Sequence, residues 1–261
     1  METVILKLGG SVITGKSRDK PQVEAKAIKR LAAEIAQALR KRPLRLFIVH
    51  GAGPYGHVPA KKYALSGGLR GRRQVEGMAL THQSMERLNF KVVESLVTAK
   101  VNAMAYQPSA GGLLDGGRLA SFPLESVNCL LDIGVVPVSY GDVLPDRGLG
   151  LGILSGDHLV PYLARELSAD RVVIVTSYNG IYDMDPKEKG ARKLDLINAS
   201  VLPVLSARAT EGTDVTGGIA GKVVELLRLS GRGIPSEIIG PNPGYLKRTL
   251  LGETGLGTRV A

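Results

Sequence analysis

The sequence predicts an α/β fold in which helices cover both faces of a mostly parallel sheet. Short apolar, β-branched segments alternate with segments of helical period along the chain, as in repeated β-α-β units. The chain has 261 residues, enough to build one α/β domain with a complete core. Hydrophobic residues make up 44% and charged residues 22%, a balance typical of globular proteins that argues against long disorder.

Each element follows from its own residue pattern. Residues 4–8 form an apolar run that ends at Gly9-Gly10 and predict the first strand, and residues 25–39 carry the apolar stripe of a helix. The second strand, at 44–49, also ends in a glycine-rich loop. Further strands are predicted at 102–106, 135–140, 171–176, 236–239 and 257–260, and further helices at 74–99, 122–133, 157–167 and 218–230. Residues 141–152, rich in Gly, Asp and Arg, predict a long turn or a hairpin.

Cysteine content and hydropathy exclude several classes of protein. Cys129 is the single cysteine, so neither an internal disulfide nor a four-cysteine zinc site can form. No apolar run reaches about 18 residues, so no membrane span is predicted. The first residues lead directly into a strand pattern without the layout of a signal peptide, and the cytoplasm is the expected location.

The chain is basic, with 34 Lys and Arg against 24 Asp and Glu and a net charge of +10. Such a charge permits nucleic acids or anionic metabolites as partners. Aromatic residues make up only 4% and Trp is absent, so platforms for base stacking are scarce. The basic stretches at 16–20, 40–45 and 70–73 are therefore interpreted as solvated surface, and no nucleic-acid partner is expected.

Two glycine loops match known phosphate-binding patterns but stand in the wrong context. Residues 10–17 match the P-loop pattern letter for letter, yet β-branched Val12, Ile13 and Thr14 resist the tight curl of such a loop. Residues 51–56 match G-x-G-x-x-G after a strand, but the acidic Glu76 that follows lies in a helical segment rather than at a strand tip. Neither the P-loop nor the dinucleotide-binding interpretation is favoured.

A third glycine-rich segment runs from Asp214 to Lys222 into a predicted helix. Backbone N–H groups at a helix start together with a nearby ammonium group favour an anion site. The alternative is a glycine-rich helix entry with a surface lysine.

Four motifs, taken in order, resemble the amino acid kinase superfamily. They are Lys7-Leu-Gly-Gly-Ser11, His50-Gly-Ala-Gly53, Ser155-Gly-Asp157 and Asp214-Val-Thr-Gly-Gly-Ile-Ala-Gly-Lys222. Within the superfamily the sequence is most similar to the archaeal-type isopentenyl phosphate kinases, on the segments 7–16, 50–57, 107–110 and 140–142. The block from His50 to His57 is the most specific, because relatives acting on carboxylates or nucleotides lack the second histidine. The resemblance extends over residues 4–259.

The resemblance implies an open three-layer αβα sandwich, the amino acid kinase fold. It implies one domain over 1–261, in which about 1–150 bind the acceptor and about 151–261 bind the nucleotide. It also implies a homodimer that uses ATP and Mg²⁺ to convert isopentenyl phosphate to isopentenyl diphosphate, a step of an alternative mevalonate route to isoprenoids.

The resemblance also assigns roles to individual residues. Lys7 and Lys222 would neutralise the transferred phosphoryl group, held in place by Asp157, and His57 would donate a hydrogen bond to the acceptor phosphate. The nucleotide would be bound by Lys7, Gly9, Gly10, Ser11, Lys16, Ser177, Tyr182, Gly217, Gly218 and Lys222. The acceptor would be bound by Ala52, Gly53, His57 and Gly156, with Met78 beside its apolar tail, although Met78 could equally be ordinary core.

This inventory of residues suits the chemistry of phosphate acceptors. The second pKa of a phosphate monoester is about 6, so the acceptor is largely a dianion at neutral pH and needs no general base. Catalysis then consists of positioning two anions and neutralising their charge. Of the remaining histidines, His50 is expected to be structural, and His82 and His158 receive no role, although His82 could line the acceptor pocket.

The sequence departs from the family in one loop. The family usually has Thr-Asp-Val-Asp-Gly where this chain has Thr176-Ser-Tyr-Asn-Gly180, so Ser177 and Asn179 replace two acids near the expected nucleotide. Two other functions remain open at this point. One is a related kinase acting on another phosphate, a phosphonate or a carboxylate, and the other is a non-catalytic relative that binds a ligand or nucleic acid.

Overall fold

The fold is built on a large central sheet with helices on both sides. The computed structural model describes residues 1–15, 21–198, 200 and 218–261. Its helices are α1 (Gly10–Ile13), α2 (Ala25–Lys41), α3 (Gly53–Lys62), α4 (Arg72–Thr98), α5 (Leu124–Asp132), α6 (Gly156–Glu166), α7 (Gly218–Ser230) and α8 (Tyr245–Leu250). Its strands are β1 (Glu2–Leu8), β2 (Leu44–His50), β3 (Ala103–Ala105), β4 (Leu113–Asp115), β5 (Arg118–Ser121), β6 (Val136–Tyr140), β7 (Asp142–Asp146), β8 (Gly150–Leu154), β9 (Arg171–Val175), β10 (Ile181–Tyr182), β11 (Lys193–Leu194), β12 (Leu196–Ile197), β13 (Ser236–Ile239) and β14 (Thr258–Val260).

The central sheet has eight strands in the order β12-β14-β13-β9-β1-β2-β6-β3. All neighbouring pairs are parallel except β13 and β14, which confirms the mostly parallel sheet predicted from the sequence. In the register, Leu8 at the end of β1 lies opposite His50 of β2 and Val175 of β9, and His50 lies opposite Tyr140 of β6. The loops that leave these four strands therefore start at the same edge of the sheet.

Two hydrophobic layers enclose this sheet and complete the predicted αβα sandwich. On one face, the apolar side chains of α2, α4 and α8 pack on Val4, Leu6 and Leu8 of β1. On the other face, α5, α6 and α7 pack on Ile5 of β1 and its neighbours. Because side chains alternate along a strand, Lys7 points to the same face as Ile5, where α6 lies.

A second, four-stranded sheet stands beside the sandwich in the order β5-β4-β7-β8. Its β7–β8 pair confirms the hairpin interpretation of residues 141–152. The β4–β5 hairpin and α3 were not predicted. The strands β4 and β5 have only 3 and 4 residues, and α3 contains Gly and Pro, including Pro59 in its interior, which hide its helical period. Among the described residues, no helix is long and apolar enough to cross a membrane.

Candidate active site

A cleft of about 1070 Å³ opens at the carboxyl edge of the central strands. Its walls are formed by the loops that follow β1, β2, β6 and β9, which is where open α/β sheets bind their ligands. The cleft brings together most of the predicted site residues that the structure describes. These are Lys7, Gly9, Gly10, Ser11, Ala52, Gly53, His57, Gly156, Asp157, Ser177 and Tyr182.

The loops after β1 and β2 touch through their backbones. A Cβ atom on Gly10 would lie 2.5 Å from the Gly53 nitrogen, and a Cβ atom on Gly51 would lie 2.5 Å from the Gly10 nitrogen. Gly53 also has φ +50, and its Cβ would lie 2.2 Å from Oγ1 of Thr14. All three positions require glycine for space, and Gly53 also requires it for backbone conformation. The contact fixes the two loops against each other.

Lys7 and Asp157 form an ion pair at the centre of the cleft. Lys7 is 6% exposed, and its Nζ donates a hydrogen bond to Oδ1 of Asp157 at the start of α6. The pairing satisfies the requirement that a buried ammonium group have an anionic partner. Because β1 lies between β2 and β9 in the sheet, Lys7 lies between the loops that follow those two strands.

Two helices direct their N-termini toward the cleft. α3 begins at Gly53 and α6 begins at Gly156, and both glycines line the cleft. The N-cap of α6 is Ser155, whose Oγ accepts a hydrogen bond of 3.3 Å from the His158 backbone N–H. The first N–H groups of a helix and its dipole favour an anion at that end. His57 lies on α3, is exposed and lines the same cleft. Its contact with a phosphate stays a prediction.

The loop after β9 forms the other side of the cleft. Ser177 Oγ lies 3.3 Å from Ser11 Oγ, so this loop contacts the loop after β1 directly. Oδ1 of Asn179 accepts a 3.1 Å hydrogen bond from the Gly240 backbone N–H. A side-chain amide oxygen accepts this bond as well as a carboxylate oxygen does. Asn179, in place of the usual acid, can therefore make the hydrogen bond with Gly240 without carrying a charge. Tyr182, half-buried on β10, also lines the cleft.

An apolar wall lies near α3 and consists of side chains from α3, α4 and the β7–β8 hairpin. It is formed by Ala60, Met85, Val143, Ile153 and Leu154. Met78, predicted to border the acceptor tail, is not among the cleft-lining residues. It packs behind the wall in a cluster with Tyr63, Leu65, Val143 and Leu151, so its part in binding stays a prediction.

The cleft also contains residues to which no role was assigned from the sequence. Thr81 on α4 is 3% exposed, lines the cleft, and its Oγ1 has no hydrogen-bond partner among the described residues. Asp142 at the start of β7 is 2% exposed and lines the cleft as well. The segment 140–142 stood out as a family marker, which was the signal that could have identified Asp142.

His50 is fully buried and belongs to the core, as expected. It stacks on Tyr140 at 5.4 Å, and its Nδ1 and Nε2 lie 3.1 and 3.2 Å from Gly51 O and Asn89 Oδ1. Burial lowers the pKa of His50 to about 4, against the smaller opposing effect of these two contacts. The imidazole is therefore neutral at neutral pH.

Part of the predicted nucleotide site lies outside the described residues. Lys16 and Gly217 lie outside the described residues, and so does the side chain of Lys222, while Gly218 is described only as the first residue of α7. In the described part of the chain, no group of three or more His, Cys, Asp or Glu side chains is placed to hold a metal ion.

Comparison with known proteins gives matches over nearly the whole chain. The amino acid kinase family matches residues 2–240. The isopentenyl phosphate kinase of Methanothermobacter thermautotrophicus is 40% identical over 98% of both chains. An isopentenyl phosphate kinase structure aligns over 100% of both chains with a TM-score of 0.86 and 36% identity. The product complex of the Thermoplasma acidophilum isopentenyl phosphate kinase aligns over 99% of this chain and 100% of its own, with a TM-score of 0.79 and 27% identity.

Proposed function

Because this chain belongs to the amino acid kinase family, and within it to the isopentenyl phosphate kinases, we propose that its cleft brings ATP and isopentenyl phosphate together on either side of Lys7. The chain is a phosphotransferase with a phosphate acceptor. It converts isopentenyl phosphate to isopentenyl diphosphate in an alternative mevalonate route.

The observation that carries this assignment of the site is the position of the Lys7–Asp157 pair. β1 lies between β2, whose loop leads to His57, and β9, whose loop leads to Ser177. The acceptor phosphate binds the backbone N–H groups of Ala52, Gly53 and Gly156. The nucleotide phosphates bind on the other side, at Gly9, Gly10 and Ser11.

Transfer in this site needs charge neutralisation and alignment. An oxygen of the acceptor dianion attacks the γ-phosphorus in line, the bond to the β,γ-bridging oxygen breaks, and ADP leaves. Lys7 stabilises the charge on the transferred group, and Asp157 fixes the direction of the ammonium. His57 donates a hydrogen bond to the acceptor phosphate. Lys16, Tyr182, Gly217, Gly218 and Lys222 complete the nucleotide side.

Magnesium in this reaction arrives with the nucleotide. Mg²⁺ usually retains several waters and is held by substrate phosphates with one or two carboxylates. Mg²⁺ supplies neutralisation of the phosphate charge when it is bound.

We further propose that the protein is a homodimer. Val75, Phe90 and Val97 are exposed on α4 and fall on one side of that helix by its periodicity. Exposed apolar faces of this kind typically mark interaction surfaces.

The direct test is ADP release measured with four acceptors side by side, namely isopentenyl phosphate, dimethylallyl phosphate, UMP and N-acetylglutamate, in the presence of Mg²⁺. We expect the prenyl phosphates to be used with kcat/KM far above that for UMP and acetylglutamate. Lys7→Ala should reduce kcat by about 10²-fold or more, the effect of losing a preorganised charge donor. Lys62→Ala, at an exposed position beside the cleft, is the control.

Preferred use of UMP or acetylglutamate would overturn the assignment of the acceptor. Near-normal kcat in Lys7→Ala would overturn the role of the central ion pair, while the identity of the acceptor would stand.

A further inference from the structure

We infer that His82 and Asp142 form a charge-compensating pair that sets the affinity for the acceptor: His82 neutralises a buried carboxylate that lines the cleft where a phosphate dianion binds. The inference rests on the proposed function of the cleft and adds to it a positioning residue outside the set that contacts substrate.

The pair is defined by close contacts at the start of β7. Nδ1 of His82 lies 3.1 and 3.0 Å from Oδ1 and Oδ2 of Asp142, whose side chain is 0% exposed. Oδ1 of Asp142 also accepts a 2.8 Å hydrogen bond from the Val143 backbone N–H. On the other edge of the imidazole, Nε2 lies 3.4 Å from Oε1 of Glu86, one turn along α4.

The pair also joins three elements that surround the apolar wall of the cleft. His82 follows Thr81 on α4, and Asp142 precedes Val143 on β7, and both of those neighbours line the cleft. Ser109, in the short helical turn Pro108–Ala110, places its Oγ 3.4 Å from Nδ1 of His82. The segments 107–110 and 140–142, which the sequence singled out without a role, therefore meet at this imidazole.

An unpaired Asp142 would weaken the binding of the acceptor phosphate. A buried carboxylate in the wall of a cleft repels a phosphate dianion, because both are anionic and little water lies between them. A protonated imidazole in contact with both carboxylate oxygens removes most of this repulsion. The hydrogen bond with Asp142 raises the pKa of His82, partly opposed by burial and reinforced by the charges of Asp142 and Glu86.

Among the other described groups around the imidazole, only Glu86 carries a charge. α4 contributes the exposed Glu86, β7 contributes Asp142, and the turn 108–110 contributes only the neutral Ser109. Tyr140, at the end of β6, has its pKa raised by burial and by the charges of Asp142 and Glu86, so it stays neutral. Loss of the His82 proton as the pH rises therefore leaves two carboxylates, Asp142 and Glu86, without a compensating charge. The KM for the acceptor should rise as the pH passes through the pKa of His82.

The experiment compares His82→Gln, Asp142→Asn and the double variant by their steady-state constants for isopentenyl phosphate and for ATP. His82→Gln leaves the carboxylate uncompensated, so the acceptor KM should rise about tenfold while kcat and the KM for ATP stay close to wild type. The double variant removes both charges of the pair, leaves only the exposed Glu86, and should recover the acceptor KM to within about twofold. His158→Gln, an exposed histidine on α6, is the matched control.

A purely structural role gives a different result, since the double variant would then be no better than His82→Gln. That result, or an equal rise in the KM for ATP, would overturn the inference, although isopentenyl phosphate would still be phosphorylated. If no prenyl phosphate were turned over by the wild-type enzyme, the proposed function itself would fail.

A second measurement avoids variants that fail to fold. In the wild-type protein, titration of the histidine ring protons by NMR should show the pKa of His82 rising further when isopentenyl phosphate binds, because the dianion favours the protonated imidazole. Saturable binding without any change in that titration would overturn the inference.

Discussion

His57 is the residue for which we propose phosphate binding without a role as a base. It is exposed on the second turn of α3, whose first N–H groups face the same cleft. The acceptor is already ionised near neutral pH, so proton removal would contribute nothing, whereas a donated hydrogen bond offsets charge as the two phosphates approach.

We therefore expect His57→Gln to retain substantial activity, because Gln keeps an N–H donor but cannot take up a proton. His57→Ala should lose about 1.5–3 kcal/mol of transition-state stabilisation, the range for a hydrogen bond to a charged group. The measurement is kcat/KM for isopentenyl phosphate at one pH above neutrality. Equal damage in both variants, with a single titration in the wild-type pH profile, would reopen a proton-transfer role.

The burial of His50 makes the free energy of unfolding depend on pH. Its pKa is lowered by burial from 6.5 to about 4 in the folded protein, so the unfolded chain binds a proton more readily. The free energy of unfolding therefore carries no penalty from His50 above about pH 6.5. It falls as the pH drops toward 4, by up to about 3 kcal/mol. Urea unfolding at several pH values should show this slope in the wild type and a smaller one in His50→Gln. Equal slopes in the two proteins would contradict the assignment.

At the level of elements, α8 is held at both ends by charged side chains from other parts of the fold. Glu34 of α2 is 6% exposed and accepts hydrogen bonds of 3.0 and 3.2 Å from the backbone N–H groups of Gly244 and Lys247. At the other end, Arg171 of β9 donates to the carbonyl oxygens of Thr249 and Leu250. These bonds satisfy helix-end groups that a six-residue helix leaves open.

Glu34→Ala should therefore reduce the free energy of unfolding by about 1–3 kcal/mol, the effect of leaving buried N–H groups without an acceptor. Chemical denaturation measures the change, and Glu94→Ala, an exposed glutamate of α4, is the control. Similar losses in the two variants would show that the contacts at α8 contribute no specific stability.

We expect the β7–β8 hairpin to limit the size of the acceptor pocket. Ile153 lines the cleft, while Met78 lies behind it in the cluster around Tyr63 and Val143. Ile153→Ala should raise the rate with geranyl phosphate relative to isopentenyl phosphate more than Met78→Ala does, because only the former removes atoms from the wall itself. The comparison uses kcat/KM for both acceptors. A larger effect from Met78→Ala would place the tail on the other side of Val143.

Hydrophobic period was sufficient to predict seven of the eight strands of the central sheet and its longer covering helices, because these segments are apolar runs or carry one apolar stripe. The two-residue strand β12 and the six-residue helix α8 were not predicted, because they are too short to show a period. The ion pair of Lys7 with Asp157 was also predictable, since a lysine in a buried strand needs an anionic partner. The partnership of His82 with Asp142 was not visible. It depends on how β7 packs against α4, across 60 residues of sequence, and no local pattern carries that information.

At the level of the whole molecule, we expect α4 to form the dimer interface. Phe90 is 60% exposed and shares its side of the helix with Val75 and Val97. Phe90→Glu should shift the protein from dimer to monomer, because burying a carboxylate in an apolar interface is unfavourable. Light scattering after gel filtration measures the mass, with Lys91→Glu as a charge control. A wild-type monomer, or a dimer unaffected by Phe90→Glu, would contradict this interface.

The backbone contact between Gly10 and Gly53 has a consequence for how such a kinase can diversify. With no side chain between the two loops, we expect the separation of the two phosphates to be set by the main chain and not by any rotamer. Residues of the tail pocket, such as Ile153 on the hairpin, can then change without altering the geometry of transfer. Acceptor preference and phosphoryl transfer are thus separately adjustable properties, which makes this scaffold a suitable starting point for engineering toward other phosphate monoesters.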